Sequence, residues 1–185
     1  MTLDLVTVSS LVNLSSDGKQ VSLGYQQFCS LVDDPKRFDY CVCVLGKQGF
    51  ATERCYWVVQ VGDKTDRDVY VARESVNRKQ SVTVRPDQGY WAVCRGKGGN
   101  LNACAGPSIP HHLRDKPKKV GVFVDYEEGL VSFYNVDDKA HIYSYSWCVF
   151  TETLYPYFSP SPWRRKEHSP VGYLFGGKGL YSCEV

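Results

Sequence analysis

The chain is expected to fold as an all-β protein, an antiparallel β-sandwich. Three observations predict this. Short period-2 apolar runs recur along its 185 residues. Turn segments rich in glycine and aspartate separate them, and no segment longer than about ten residues carries a helical apolar stripe.

The elements follow in order. The opening MTLDLVTVSSLV has neither a basic n-region nor a continuous apolar stretch, so no signal peptide is read. There is room for a brief helix before residue 15 or around 26–32. Strands are expected at CVCVL (41–45), CYWVVQV (55–61), DVYVAR (68–73), SVTVR (81–85), YWAVC (90–94) and HIYSYS (141–146). GKQG, VGDKTD, PDQG, GKGGN and VDDK supply the turns. Along the fifth of these runs Tyr90, Ala92, Cys94 and Gly96 share one face, and Trp91, Val93 and Arg95 the other. Trp57 and Trp91 sit among alternating apolar neighbours and are expected to be structural.

The stretch VGVFVDYEEGLVSFYNV (120–136) raises a chemical question, because Asp125, Glu127 and Glu128 fall within four residues. Val120, Val122 and Val124 alternate with Gly121, Phe123 and Asp125, and a second alternating run follows Gly129. That is a β-hairpin signal, with the carboxylates at its corner. An acid–base pair needs surroundings that push two pKa values apart, which an exposed corner does not offer.

Composition narrows the function. A net charge of +2 is too small to imply nucleic acid or an anionic membrane as partner. The 13 Tyr, 8 Phe and 4 Trp suit sheets. No apolar run reaches the ~20 residues of a membrane span. The eight cysteines form no C-x-x-C pair and are expected to be reduced cytosolic thiols, which places the chain in the cytoplasm. GYLFGGK (172–178) satisfies G-x-x-x-x-G-K, but a glycine follows where Ser or Thr would be needed, so a terminal strand and turn is the preferred reading. His111 and His112 would point to opposite faces of a strand, and no ligand spacing supports a metal or other cofactor. CRGKGGN (94–100) and WRRK (163–166) are basic, but read as solvated loops.

The ordered motifs TLD (2–4), LSSDGKQV (14–21), DPKRFD (34–39), CVLG (43–46), QGF (48–50) and YWVVQVGDKT (56–65) resemble those of a PRY-SPRY domain. So do ARESVNRK (72–79), GYW (89–91), VGVFVDYE (120–127), VSFYNV (131–136), HIY (141–143) and YFSP (157–160). ESVNRK and SFYNV bring the chain nearest to the C-terminal modules of tripartite-motif ubiquitin ligases, with butyrophilins next. The resemblance implies one concanavalin-like jelly-roll domain over 1–185, with a PRY part at about 1–50 and a SPRY part at about 51–185. It implies a module without a catalytic centre that grips a protein or peptide partner. As a module it is expected to be monomeric. The implied parent is a cytoplasmic ligase, dimeric through a coiled coil, that recognises substrates in innate immunity. The competing reading is a butyrophilin-like cytosolic domain that senses a small phosphorylated ligand.

The sequence also departs from the family pattern. Arg67 stands where a tryptophan normally packs, Val58 replaces a glutamate, and SPWRRKEHSPVG (161–172) replaces an acidic approach to the final strand, left to GLYSCEV (179–185). In the family the recognised face draws on the counterparts of SVNRK (75–79), of the strand from Gly89 to Gly96, and of CVFT (148–151). The resemblance therefore marks Asn77, Arg78, Tyr90, Cys94, Gly96, Lys97 and Phe150 as partner-binding residues. Cys94 and Gly96 are small where some members carry aromatic anchors, so a wider or shallower pocket is expected.

Overall fold

Alternating side chains decide which face of each strand is buried, and here they build two cores on one sheet. The computed structural model describes residues 1–24, 34–61, 68–95, 101–105, 109–110 and 117–160. Among them the strands are β1 (Val12–Leu14), β2 (Val21–Leu23), β3 (Val44–Leu45), β4 (Arg54–Gln60), β5 (Asp68–Arg73) and β6 (Tyr90–Arg95). Then come β7 (Leu101–Ala103), β8 (Ile109–Pro110), β9 (Lys119–Asp125), β10 (Leu130–Asn135), β11 (Ala140–Tyr145) and β12 (Leu154–Ser159). β1 and β2 form a small hairpin; one larger sheet runs β11-β10-β9-β4 and the other β3-β12-β5-β6-β7-β8. The pairings are antiparallel throughout.

The 120–136 stretch is a hairpin, β9 against β10, with Val124 opposite Val131 and Val122 opposite Phe133. Gly129 closes its turn at φ +61°, a conformation that disfavours a Cβ. Asp125 is buried, only 6% exposed, and acts structurally. It accepts a bond from Arg54 Nε at 2.7 Å and one from the Glu128 amide at 3.2 Å.

The main core lies between the two larger sheets. Trp57, Val59, Val120, Val122, Val124, Val131 and Phe133 meet Val71, Trp91, Val93, Leu154 and Phe158. A second core covers the other face of the six-stranded sheet. Here Tyr70, Ala72, Tyr90, Ala92 and Tyr157 pack under Phe38, Cys41, Cys43 and Leu45. Tyr157 sits at its centre, edge-on to Phe38, Tyr70 and Tyr90. Burial on both faces explains why DVYVAR reads as a nearly continuous apolar run.

Several expectations need adjusting. CVCVL contributes only Val44–Leu45 as strand, because Cys41 to Cys43 form an irregular cover over the second core. SVTVR pairs with no strand and runs as irregular chain. No helix forms before residue 15; the described residues hold one 3-10 turn, Pro86–Gln88, within PDQG. Cys94 and Cys104 are joined as a disulfide rather than free, since β6 and β7 place them as diagonal neighbours on one face. Cys41, Cys43, Cys55 and Cys148 are free. Arg67, the 26–32 segment, His111, His112 and residues 161–185 lie outside the described residues.

Candidate functional site

The connection from β11 to β12 is the most unusual part of the surface. β11 is fixed at its end by Tyr145, whose hydroxyl donates to the Ala92 carbonyl at 2.8 Å. The chain then turns through Trp147, which adopts φ +60°. A bulky L-residue there is a genuine outlier. Cys148 donates its amide to the Gly129 carbonyl at 2.9 Å. Its own carbonyl lies so close to the Gly129 Cα that a Cβ on residue 129 would collide with it. Glycine at the hairpin turn thus lets this connection lie flat against it.

The consequence is an alternating ridge outside any strand. Trp147 and Val149 point outward, 93% and 84% exposed. Phe150 turns inward, its ring 5.0 Å from that of Trp91 in a T-shaped contact and 5.2 Å from that of Tyr126. The Tyr126 hydroxyl donates to the Glu152 carbonyl at 3.0 Å and ties the ridge to the hairpin turn. The Glu152 carboxylate accepts the Ser75 amide at 2.8 Å and hydroxyl at 2.7 Å. The Ser75 hydroxyl, then its amide and the nearby Arg73 charge, hold the Glu152 carboxyl below the usual glutamate range.

Two depressions flank Phe150. One is a small cavity of about 50 Å³ bounded by Arg73, Pro86, Trp91, Phe150, Glu152 and Leu154. Arg73 Nε is buried beside it without a hydrogen-bond partner, 3.7 Å from Glu152 Oε1. The other is an open recess of about 530 Å³ lined by Ala51, Thr52, Tyr126, Glu127, Cys148, Val149 and Phe150. An exposed indole and valine beside a partly filled aromatic recess make a surface that can take a protein side chain.

The residues marked by the sequence do not all come together. Tyr90 and Cys94 lie on the opposite face of β6 from Trp91, on which Phe150 packs. Tyr90 is only 1% exposed and lies beneath the 38–45 cover, so it presents nothing to a partner in this arrangement. Cys94 is tied into the disulfide with Cys104. Asn77 is exposed, but its side-chain oxygen accepts the Lys79 and Gln80 amides at 2.9 and 3.0 Å and so shapes its own turn. Arg78 donates to the Lys36 and Glu74 carbonyls at 3.0 and 3.1 Å and lies 5.6 Å from the centre of the Phe38 ring. Gly96 and Lys97 lie outside the described residues. Phe150 alone joins the ridge. Trp147 and Tyr126 were not marked from sequence, and Val149 lies, without being singled out, in the CVFT segment that the resemblance marked. The signal was the W-C-V-F alternation, which continues past the end of β11 without becoming a strand.

Catalytic chemistry finds little here. The pairing slips between Phe133 and Tyr134, leaving Ile142 unopposed, and this brings His141 and Ser144 to one side. His141 Nε2 lies 2.7 Å from Ser144 Oγ, which is 2.7 Å from Ser132 Oγ. Among the described residues no carboxylate bonds the other ring nitrogen of His141, so the orienting third member of a nucleophilic triad is missing. No three His, Cys, Asp or Glu among them stand together as metal ligands. No helix among them is long and apolar enough to cross a membrane.

Comparison with known proteins agrees with the fold. The SPRY domain model matches residues 54–172 and the SPRY-associated domain model, PRY, matches residues 1–50. The chain is 46% identical over 160 residues to "Nuclear factor 7, brain" of Xenopus laevis, covering 86% of this chain and 26% of that protein. It is 41% identical over 158 residues to human pyrin, covering 85% of this chain and 20% of pyrin. The chain thus spans about a quarter or less of the length of these relatives. In fold it is similar to the TRIM65 PSpry domain, with a TM-score of 0.74 at 18% identity, over 96% of this chain and 89% of that one.

Proposed function

Because the chain belongs to the SPRY-domain family, carrying a PRY segment followed by SPRY, we propose that it is the substrate-recognition module of a tripartite-motif-type ubiquitin ligase. SPRY domains are protein-interaction modules, and this one would hold a protein or peptide partner on the 147–152 ridge. One observation carries the reading. Trp147 is 93% exposed on left-handed backbone, beside a recess edged by Phe150. An exposed indole gains nothing for folding, and strained backbone persists where its surroundings over-determine it. Aromatic anchors of this kind commonly dominate interface energies. The parent ligase, its coiled-coil dimerisation, its cytoplasmic location and its service in innate immunity extend the same reading.

The competing phosphorylated-ligand reading needs free cations on one concave face. Arg78, Lys79 and Arg85 are already occupied, by backbone carbonyls, Asp39 and Asp87 respectively.

The test pairs stability with binding. Partners captured from cell extract by the immobilised chain are identified by mass spectrometry, and the same capture is repeated with Trp147→Ala and Phe150→Ala. Loss of ~2 kcal/mol in a hot-spot contact lowers affinity by more than tenfold. The expected result is such a loss with Trp147→Ala at an unchanged melting temperature. Full retention of partners by both variants would sink the assignment.

A further inference from the structure

The recess beside Phe150 is lined mostly by apolar and aromatic side chains, with one carboxylate among them. Glu127 lines it, and Glu128 follows on the same exposed turn. Among the described residues no cation pairs with either side chain. Two basic residues among the described ones already have carboxylate partners. Arg54 is held at 2.7 Å by Asp125, and Arg73 lies against Glu152 on the far side of Phe150. The turn cannot relax away, because Tyr126 is tied to Glu152 and Gly129 is pinned under Cys148. Two unpaired carboxylates are thus fixed on the same short turn as Tyr126, which lines an aromatic hollow.

We propose that this recess takes an extended partner segment in which an apolar side chain is adjacent to a lysine or arginine. The apolar group enters between Tyr126, Val149 and Phe150. The cation reaches Glu127 and Glu128, and the Trp147 face closes over the segment. A carboxylate pair favours a cation and disfavours an acidic residue, and partial burial beneath an indole weakens solvent screening of that preference. The inference rests on reading the ridge as the partner site and adds the chemistry of what it holds.

The experiment selects ligands from a displayed library of random peptides against the full 185-residue chain, with a Trp147→Ala/Phe150→Ala variant and a Glu127→Lys/Glu128→Lys variant run in parallel. Enriched peptides are synthesised and their binding is followed by fluorescence anisotropy at low and high salt. Both glutamates are exposed, and thermal melts verify that the charge-reversed variant remains folded. The expected outcome is enrichment of Lys or Arg beside an apolar residue, at least tenfold weaker binding to the charge-reversed variant, and weaker binding at high salt. Peptides that need Trp147 and Phe150 but are neutral or acidic would overturn the proposed chemistry and leave the site standing. Peptides indifferent to Trp147 and Phe150, or no enrichment over the double variant, would overturn the site and the proposal together.

Discussion

Trp147 lets a functional constraint be separated from a structural one at the level of a single side chain. Its backbone is at φ +60° while its indole is 93% exposed. Holding an L-residue in the left-handed region costs roughly 1–2 kcal/mol, and an indole in water returns little of that through burial. Glycine removes the steric term but adds roughly 0.5–1 kcal/mol of unfolded-chain entropy. Trp147→Gly should therefore leave stability unchanged or raise it by up to about 1 kcal/mol, read from the denaturant midpoint at constant slope. A clear drop would mean that the indole packs on something and that the site argument at this residue fails. Tyr90 gives the contrasting lesson. It looked like a surface aromatic because period-2 alternation assigns a face without saying whether that face is covered. Its cover comes from Phe38 to Leu45, far away in sequence, and its phenol is pushed above the ordinary range by burial.

At the scale of elements, the loop after β5 acts as a clamp. ESVNRK reaches back to the N-terminal segment through Arg78 to the Lys36 carbonyl, Lys79 to Asp39 at 2.7 Å, and the Asp39 amide to the Arg78 carbonyl at 2.9 Å. The guanidinium plane above Phe38 adds a cation–π contact worth roughly 0.5–1 kcal/mol at a partly exposed site. Each hydrogen bond from a charged donor to a carbonyl is worth roughly 1.5–3 kcal/mol at most, and less where water competes. Arg78→Ala should therefore lower stability by about 1–2 kcal/mol, with Arg78→Lys recovering only part, since an ammonium cannot match the planar fork. The measurement is a pair of chemical denaturation curves. If Arg78→Ala left the midpoint in place while weakening a partner, the sequence-based assignment of Arg78 to the binding surface would be supported. The hairpin at 120–136 was legible because a turn glycine and two alternating runs are local signals. The clamp was not, because its partners lie about 40 residues apart.

For the whole molecule, the β-rich antiparallel architecture was legible from period and turns, and the family motifs supplied the sandwich. What the sequence hid is that the six-stranded sheet is covered on both faces, once by the four-stranded sheet and once by irregular chain. Periodicity cannot identify such a cover, because residues 38–43 form no strand and carry no repeat. The candidate site was legible only in the CVFT segment, 148–151, since the recess depends on a hairpin turn, a strand connection and the 51–52 loop meeting in space. The double cover makes a demand on the chain as a whole. Removing residues 1–50 would delete Phe38, Cys41, Cys43 and Leu45 along with β3, and expose the rings of Tyr70, Tyr90 and Tyr157 together with Ala72 and Ala92. Those three tyrosines are 5%, 1% and 3% exposed in the intact fold. Fully exposing a large apolar side chain forfeits roughly 1.5–3 kcal/mol. Three of them approach the ~5–15 kcal/mol by which a domain exceeds its unfolded state, before the lost contacts of β3 and the β1–β2 hairpin are added. A chain of residues 51–185 should thus show no cooperative melt, bind a hydrophobic dye and aggregate, whereas supplying residues 1–50 as a separate polypeptide should restore a transition. Calorimetry on the truncated chain decides the matter: a sharp endotherm near that of the parent would mean that the 38–45 cover is dispensable and that the second core is not a core.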